Sequence, residues 1–278
     1  MQTLRYDALI ARAKKSVFGE TAGNNTSLKE GDGYDFAQIR PYMYGDNVRR
    51  IDWKSSAKTG EIQLRSFFEE KEINVHVIAQ MNGSMHFGIK RMKQEVMAEV
   101  VAIIGFSAVK NSDNFSLCIF GEKLLWSSTP SKKEAGVRRA VKELLSINPI
   151  GRKLNEDSIK HYALNQIKKR SLLFIVGDFF EIPHIEAVAK KHEIVIVKIR
   201  DKFEEKPLHV GSVMVVDPQT LKSEKITLNS DFIDSYTKRQ KQFEKELGGY
   251  FKKNNMRNIT VYTDENPYIK LCSMMGRI

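Results

Sequence analysis

Cysteine is scarce in this chain. Cys118 sits inside an apolar run and Cys272 near the end, so there is neither a disulfide framework nor a cysteine metal cluster, which points to a reducing compartment, the cytoplasm. Long apolar runs are missing as well. The longest mainly apolar segment, residues 96–109, holds Glu99 and is shorter than a membrane span requires, so it reads as a packed helix. The start, MQTLRYDALIARAKKS, is basic but lacks the continuous apolar segment of a secretory signal, and reads as an amphipathic helix with Leu4, Leu9 and Ile10 on its apolar side. No internal repeat or low-complexity linker is visible. Gly31-Asp32-Gly33 lacks the glycine spacing and the Lys-Ser/Thr of a phosphate loop. The histidines are scattered and form no triad; His76 falls within a strand pattern, and His86 has no second histidine, cysteine or carboxylate in near sequence.

What is present is a chain of 278 residues, 41% apolar, long enough to bury a sizeable core as a globular protein. Its formal charge of +11 would attract nucleic acid, anionic lipid or an acidic protein surface. The basic residues are spread through the chain rather than gathered into a reading motif, which favours solvated faces over a nucleic-acid surface.

Residues 73–85, INVHVIAQMNGSM, organise the rest. A short β-branched run stops at amide-bearing and small residues, and a helical pattern follows from about Ile89. In open α/β sheets ligands sit beyond the carboxyl ends of the strands, which is where Gln80, Asn82 and Ser84 would lie. Upstream, residues 19–33 read as an exposed loop, and residues 36–53 mix aromatic with charged residues in neither simple period. Downstream, residues 114–120 and 123–127 suggest a hairpin and hence one antiparallel edge. The run SLLFIVG at 171–177, ending at Asp178, marks a strand covered on both faces. Helices are expected over 131–147, 155–168, 183–191 and 267–275, and over 230–247 with Gly248–Gly249 as its cap. Residues 201–206 read as a polar exit. The order predicts an α/β fold: three layers, doubly wound around a mostly parallel sheet.

The run Gly31 to Phe36, then Ile39-Arg40-Pro41-Tyr42, Gly45-Asp46, Val48-Arg49-Arg50-Ile51-Asp52-Trp53, Ala57-Lys58 and residues 67–70 resembles the signature of the bacterial family called domain of unknown function 58. Members of that family resemble von Willebrand factor type A domains and often accompany MoxR-type AAA+ ATPases. The resemblance implies a docked N-terminal segment over 1–70, a type A-like domain over 71–262 with an insertion or extension at 203–228, and a helix or tail at 263–278. It also implies a non-enzymatic protein binder whose partner is a MoxR-type AAA+ ATPase or its client.

Related type A domains hold a divalent cation through an Asp-x-Ser-x-Ser loop, a threonine from a second loop and an aspartate after the fourth strand. Here Gln80 and Asn82 stand at the first two positions, Ser84 agrees, Asp178 fits the later aspartate, and Ser128 or Thr129 is the threonine candidate. Gln80 removes a carboxylate from a site that a hard cation would need, so the site is expected to be metal-free, with weak Mg2+ binding at Ser84 and Asp178 as the alternative. The partner surface is expected at 80–85 and 178–181. Arg40, Tyr42, Asp46, Arg49, Asp52 and Trp53 form a structural network, with Arg49 or Arg50 forked on Asp52 and Trp53 covered. A nucleic-acid-binding module is the second hypothesis, and a metal-dependent hydrolase at Asp178 the third.

Overall fold

A computed structural model of the protein describes residues 2–19, 29–69 and 72–275. The chain divides into two compact units, Thr21–Glu72 and the combination of Met1–Glu20 with Ile73–Ile278. Helix α1 (Gln2–Gly19) buries Leu9, Ile10, Ala13 and Val17 in the core of the larger unit. The leading helix, grouped above with residues 1–70, therefore packs with the sheet domain.

In the smaller unit, β1 (Lys29–Pro41) is followed by α2 (Trp53–Thr59) and by β2 (Gln63–Glu69), which pairs antiparallel with β1. The expected loop over 19–33 lies largely outside the described residues, and its last residues belong to β1. Asp52 caps α2 by accepting the Ser55 amide at 3.0 Å, and Gly60 ends it with φ 76°. The expected fork of Arg49 or Arg50 on Asp52 is not what forms. Arg40 forks onto Asp46, both bonds at 2.8 Å, and holds that carboxyl down to about 2. Asp52 instead takes Arg65 at 2.8 Å, because the Asp52 amide bonds the Gln63 carbonyl and brings position 52 beside β2. Within this unit Trp53 opens a seven-residue helix with no buried residue and is 69% exposed.

In the larger unit the elements follow as β3 (Asn74–Gln80), α3 (Lys93–Lys110), β4 (Asn114–Phe120), β5 (Leu124–Ser127), α4 (Glu134–Ser146), α5 (Glu156–Asn165), β6 (Leu172–Gly177), α6 (Glu186–Lys191), β7 (Glu193–Arg200), α7 (Lys202–Glu205), β8 (Gly211–Val216), β9 (Ser223–Leu228), α8 (Ser230–Lys253), β10 (Arg257–Tyr262) and α9 (Pro267–Met275). Six strands form one sheet in the order β10-β7-β6-β3-β4-β5, parallel except for the edge strand β5, while β8 and β9 form a separate hairpin. Strand alternation divides the core in two. Val75, Val77 and Ala79 of β3 meet α1, α3, α4 and α9 on one face, whereas Ile78 faces α5, α6 and α8 on the other. This is a three-layer α/β fold.

Several boundaries depart from expectation, among them the start of α3 at Lys93 rather than about Ile89 and of α6 at Glu186 rather than 183. Helix α8 runs through Gly248–Gly249 to an Asn254 cap, because Leu247 and Phe251, one turn apart, are both fully buried and hold the glycines helical. Residues 201–206 form the short α7, started by an Asp201–Glu204 capping box, rather than an irregular exit. Among the described residues no helix is long and apolar enough to cross a membrane.

Candidate functional site

The chain leaves β3 for β4 on one side and later returns to β6 on the other, so the sheet has its switch point between β3 and β6. Their register aligns Ala79 with Val176, which sets the residues just beyond both strands side by side. Asn82, Ser84 and Asp178 accordingly converge. Ser84 Oγ donates to an Asp178 carboxylate oxygen and lies 2.6 Å from Asn82 Oδ1, while Asn82 Nδ2 donates to Asp178 Oδ1 at 3.3 Å.

Gln80 does not take part in that bonding. It is buried over Gly177, where an added Cβ would stand 1.9 Å from Gln80 Oε1. Ser128 lies elsewhere: its hydroxyl accepts the Leu117 amide at 2.9 Å, at the level of Val77 in the middle of β3, and Thr129 follows away from the crevice. Most of the first loop is inside the protein, since Gln80, Met81, Asn82, Gly83 and Met85 are buried. Ser84 is half-buried, and the exposed residues that follow the two loops in the chain are His86, Ile89 and Lys90 after the first and Glu181 after the second.

The loop is clamped from outside. The Gly83 amide donates to the Arg152 carbonyl at 2.9 Å, the Gly151 amide to the Pro218 carbonyl at 2.8 Å, and a Cβ on Gly83 would lie 2.2 Å from the Pro218 carbonyl oxygen. The turn between β8 and β9 thus rests directly on the site loop, and only glycine permits it.

A lysine that sequence reasoning passed over completes the crevice. Lys93, the first residue of α3, is 0% exposed; its Nζ lies 3.7 Å from Asp178 Oδ2 and 2.6 Å from Glu204 Oε1, and 5.2 Å from the centroid of the Phe180 ring. Burial raises the Glu204 carboxyl above its usual range, with Lys93 pulling it back. A lysine at a helix N-terminus opposes the macrodipole. That conflict shows only once the helix begins at Lys93 rather than at about Ile89, where the sequence pattern starts it.

A second layer of charge stands behind the first. Arg200 is 1% exposed, stacks 3.9 Å from the Phe180 ring, and donates at 2.8 Å both to the Phe179 carbonyl and to Glu244 of α8. Lys198 pairs with the other Glu244 oxygen. Phe179 carries φ 50°, a left-handed conformation strained for a bulky side chain. The Arg200 bond and an edge-on contact with Phe251, centroids 6.0 Å apart, hold it there.

These residues do not suit a divalent ion. A dication bound to Asp178 Oδ2 would sit within about 6 Å of the Lys93 ammonium, a repulsion on the order of 5 kcal/mol or more at an effective dielectric of about 20. Among the described residues no group of three or more His, Cys, Asp or Glu could hold a metal.

Uncharacterized proteins of Mycobacterium tuberculosis and Mycobacterium bovis are each 20% identical over 214 residues, 74% of this chain and 68% of theirs. Among solved structures, the chain is similar to an aerotolerance-related membrane protein of Bacteroides fragilis, at 12% identity and a TM-score of 0.46 over 73% of this chain and 97% of that one. It is also similar to the conserved hypothetical protein BatB of Bacteroides thetaiotaomicron, at 11% identity and a TM-score of 0.41 over 74% of this chain and 97% of that one. The family model described as protein of unknown function DUF58 matches residues 38–246, and the chain belongs to that family.

Proposed function

We propose that this protein is a non-enzymatic adaptor of the cytoplasm that grips a protein partner at the crevice between β3 and β6. The observation that carries this is the closed bonding of the crevice. Asp178 is taken up by Ser84, Asn82 and Lys93, so its polar groups serve shape and rigidity rather than proton or group transfer. The exposed residues next in the chain after the two loops, His86, Ile89 and Lys90 on one side and Glu181 on the other, mix charge with an apolar side chain, a composition suited to a protein surface. From the family resemblance, the partner is a MoxR-type AAA+ ATPase or one of its clients, and the site is a degenerate form of the cation-binding site of type A domains.

Purified protein titrated calorimetrically against a MoxR-type ATPase tests this. Binding should be weakened by Glu181→Arg and Lys90→Glu, which reverse charge at those exposed residues without touching the buried pairs. No heat of binding to the ATPase or its clients, with or without magnesium and with the protein folded, would contradict it.

A further inference from the structure

We propose that the Lys93 ammonium is a tethered substitute for a divalent cation, assembling the crevice without metal, and that removing it would open a metal site at Asp178. A cation between the two loops has defined work to do: it neutralises Asp178 and ties the loop at 82–84 to whatever lies opposite. Lys93 does both. Its Nζ stands 3.7 Å from Asp178 Oδ2, and its bond of 2.6 Å to Glu204 fastens the crevice to α7. It is enclosed at 0% exposure, with the Phe180 ring alongside at 5.2 Å. Because the charge is covalently attached, its presence does not vary with ion concentration.

The sequence departs from a metal site in the same direction. Gln80 stands where a carboxylate would be needed and turns onto Gly177, leaving Asp178 as the loop's acid, which matches a cation of single charge better than a dication. Taken with the partner reading above, the inference adds that a partner carboxylate cannot reach the buried cation. Contact is then made by the exposed residues that follow the two loops, and binding does not depend on metal. The metal behaviour itself holds whether or not that reading does.

MnCl2 titration, followed through the electron paramagnetic resonance signal of free Mn2+, separates the cases in full-length protein. The wild-type curve is expected to coincide with that of Asp178→Asn. Lys93→Ala, which removes the charge and vacates its volume, is expected to show one added site at least about tenfold tighter than any in the wild type, lost again in Lys93→Ala/Asp178→Asn. Should Lys93→Ala be unfolded without metal, its thermal melt is expected to recover in MnCl2 while the wild-type melt does not move. A wild-type site that vanishes in Asp178→Asn overturns the proposal, and so does a Lys93→Ala protein whose titration and melt ignore Mn2+. A partner bound by the wild type equally well in EDTA and in magnesium supports it, and binding abolished by EDTA overturns it. Absence of a partner in either buffer removes the adaptor reading and leaves the Mn2+ result standing.

Discussion

Lys93 and Glu204 meet at 2.6 Å in the interior, joining the first residue of α3 to the short helix after β7, with Asp178 3.7 Å from the same ammonium. The three groups form one unit of charge. Removing Lys93 leaves both carboxylates enclosed without their cation, which costs more than the bond itself is worth.

That predicts strong coupling. Lys93→Met is expected to lower stability by about 3 kcal/mol, because two carboxylates lose their cation, and Asp178→Asn by about 1–3 kcal/mol. The double variant should lose less than the sum, by on the order of 1 kcal/mol or more. Urea unfolding of the four proteins measures the cycle; strict additivity would place the two groups apart.

Glu244 bridges Arg200 and Lys198, which are otherwise enclosed. Glu244→Gln is expected to cost about 3 kcal/mol and to loosen the segment carrying Phe179, whose carbonyl Arg200 holds at 2.8 Å. Hydrogen exchange at residues 178–180 should speed up more than exchange in α1. Unchanged exchange there would show that the second layer does not support the first.

Gly83→Ala places a methyl group 2.2 Å from the Pro218 carbonyl oxygen, so the site loop and the β8–β9 turn must separate. A loss of about 1–3 kcal/mol is expected, with faster proteolysis at the turn. Gly151→Ala meets nothing within 4 Å but carries φ 75°, and should cost only about 1 kcal/mol through backbone strain.

His76, on β3, is held down to about 4 from an ordinary 6.5, mainly by burial and secondarily by the charge of His192. The unfolded chain takes up its proton near 6.5 and the folded chain not until about 4, so between those values the unfolded state holds more protons. Stability therefore falls as pH falls through that window, by up to about 3 kcal/mol. The urea midpoint of the wild type should drop more steeply between pH 7 and pH 4.5 than that of His76→Gln. Parallel curves would remove His76 as a source of acid sensitivity.

Much of this architecture was legible in local pattern. The uninterrupted SLLFIVG became the covered strand β6, and the polar residues after 79 marked the end of β3. The convergence of Asn82, Ser84 and Asp178 followed from topology, because residues just past adjacent parallel strands must be neighbours. Lys93 was hidden for a physical reason: its partners are 85 and 111 positions away, and a lysine next to Lys90 and Arg91 at the head of an apolar helix looks like part of a solvated end. Glu204 was missed with it, since a polar stretch after a strand resembles any exit loop. The Arg65 partner of Asp52 and the unbroken α8 likewise depend on strand pairing and on burial of Leu247 and Phe251, neither of which local sequence displays.

Crystals soaked in MnCl2 and measured at the manganese absorption edge test the built-in cation most directly. Lys93 Nζ should be found between Asp178 and Glu204 with no anomalous peak near the Asp178 carboxylate. A manganese peak bonded to Asp178, with the lysine displaced, would contradict the account.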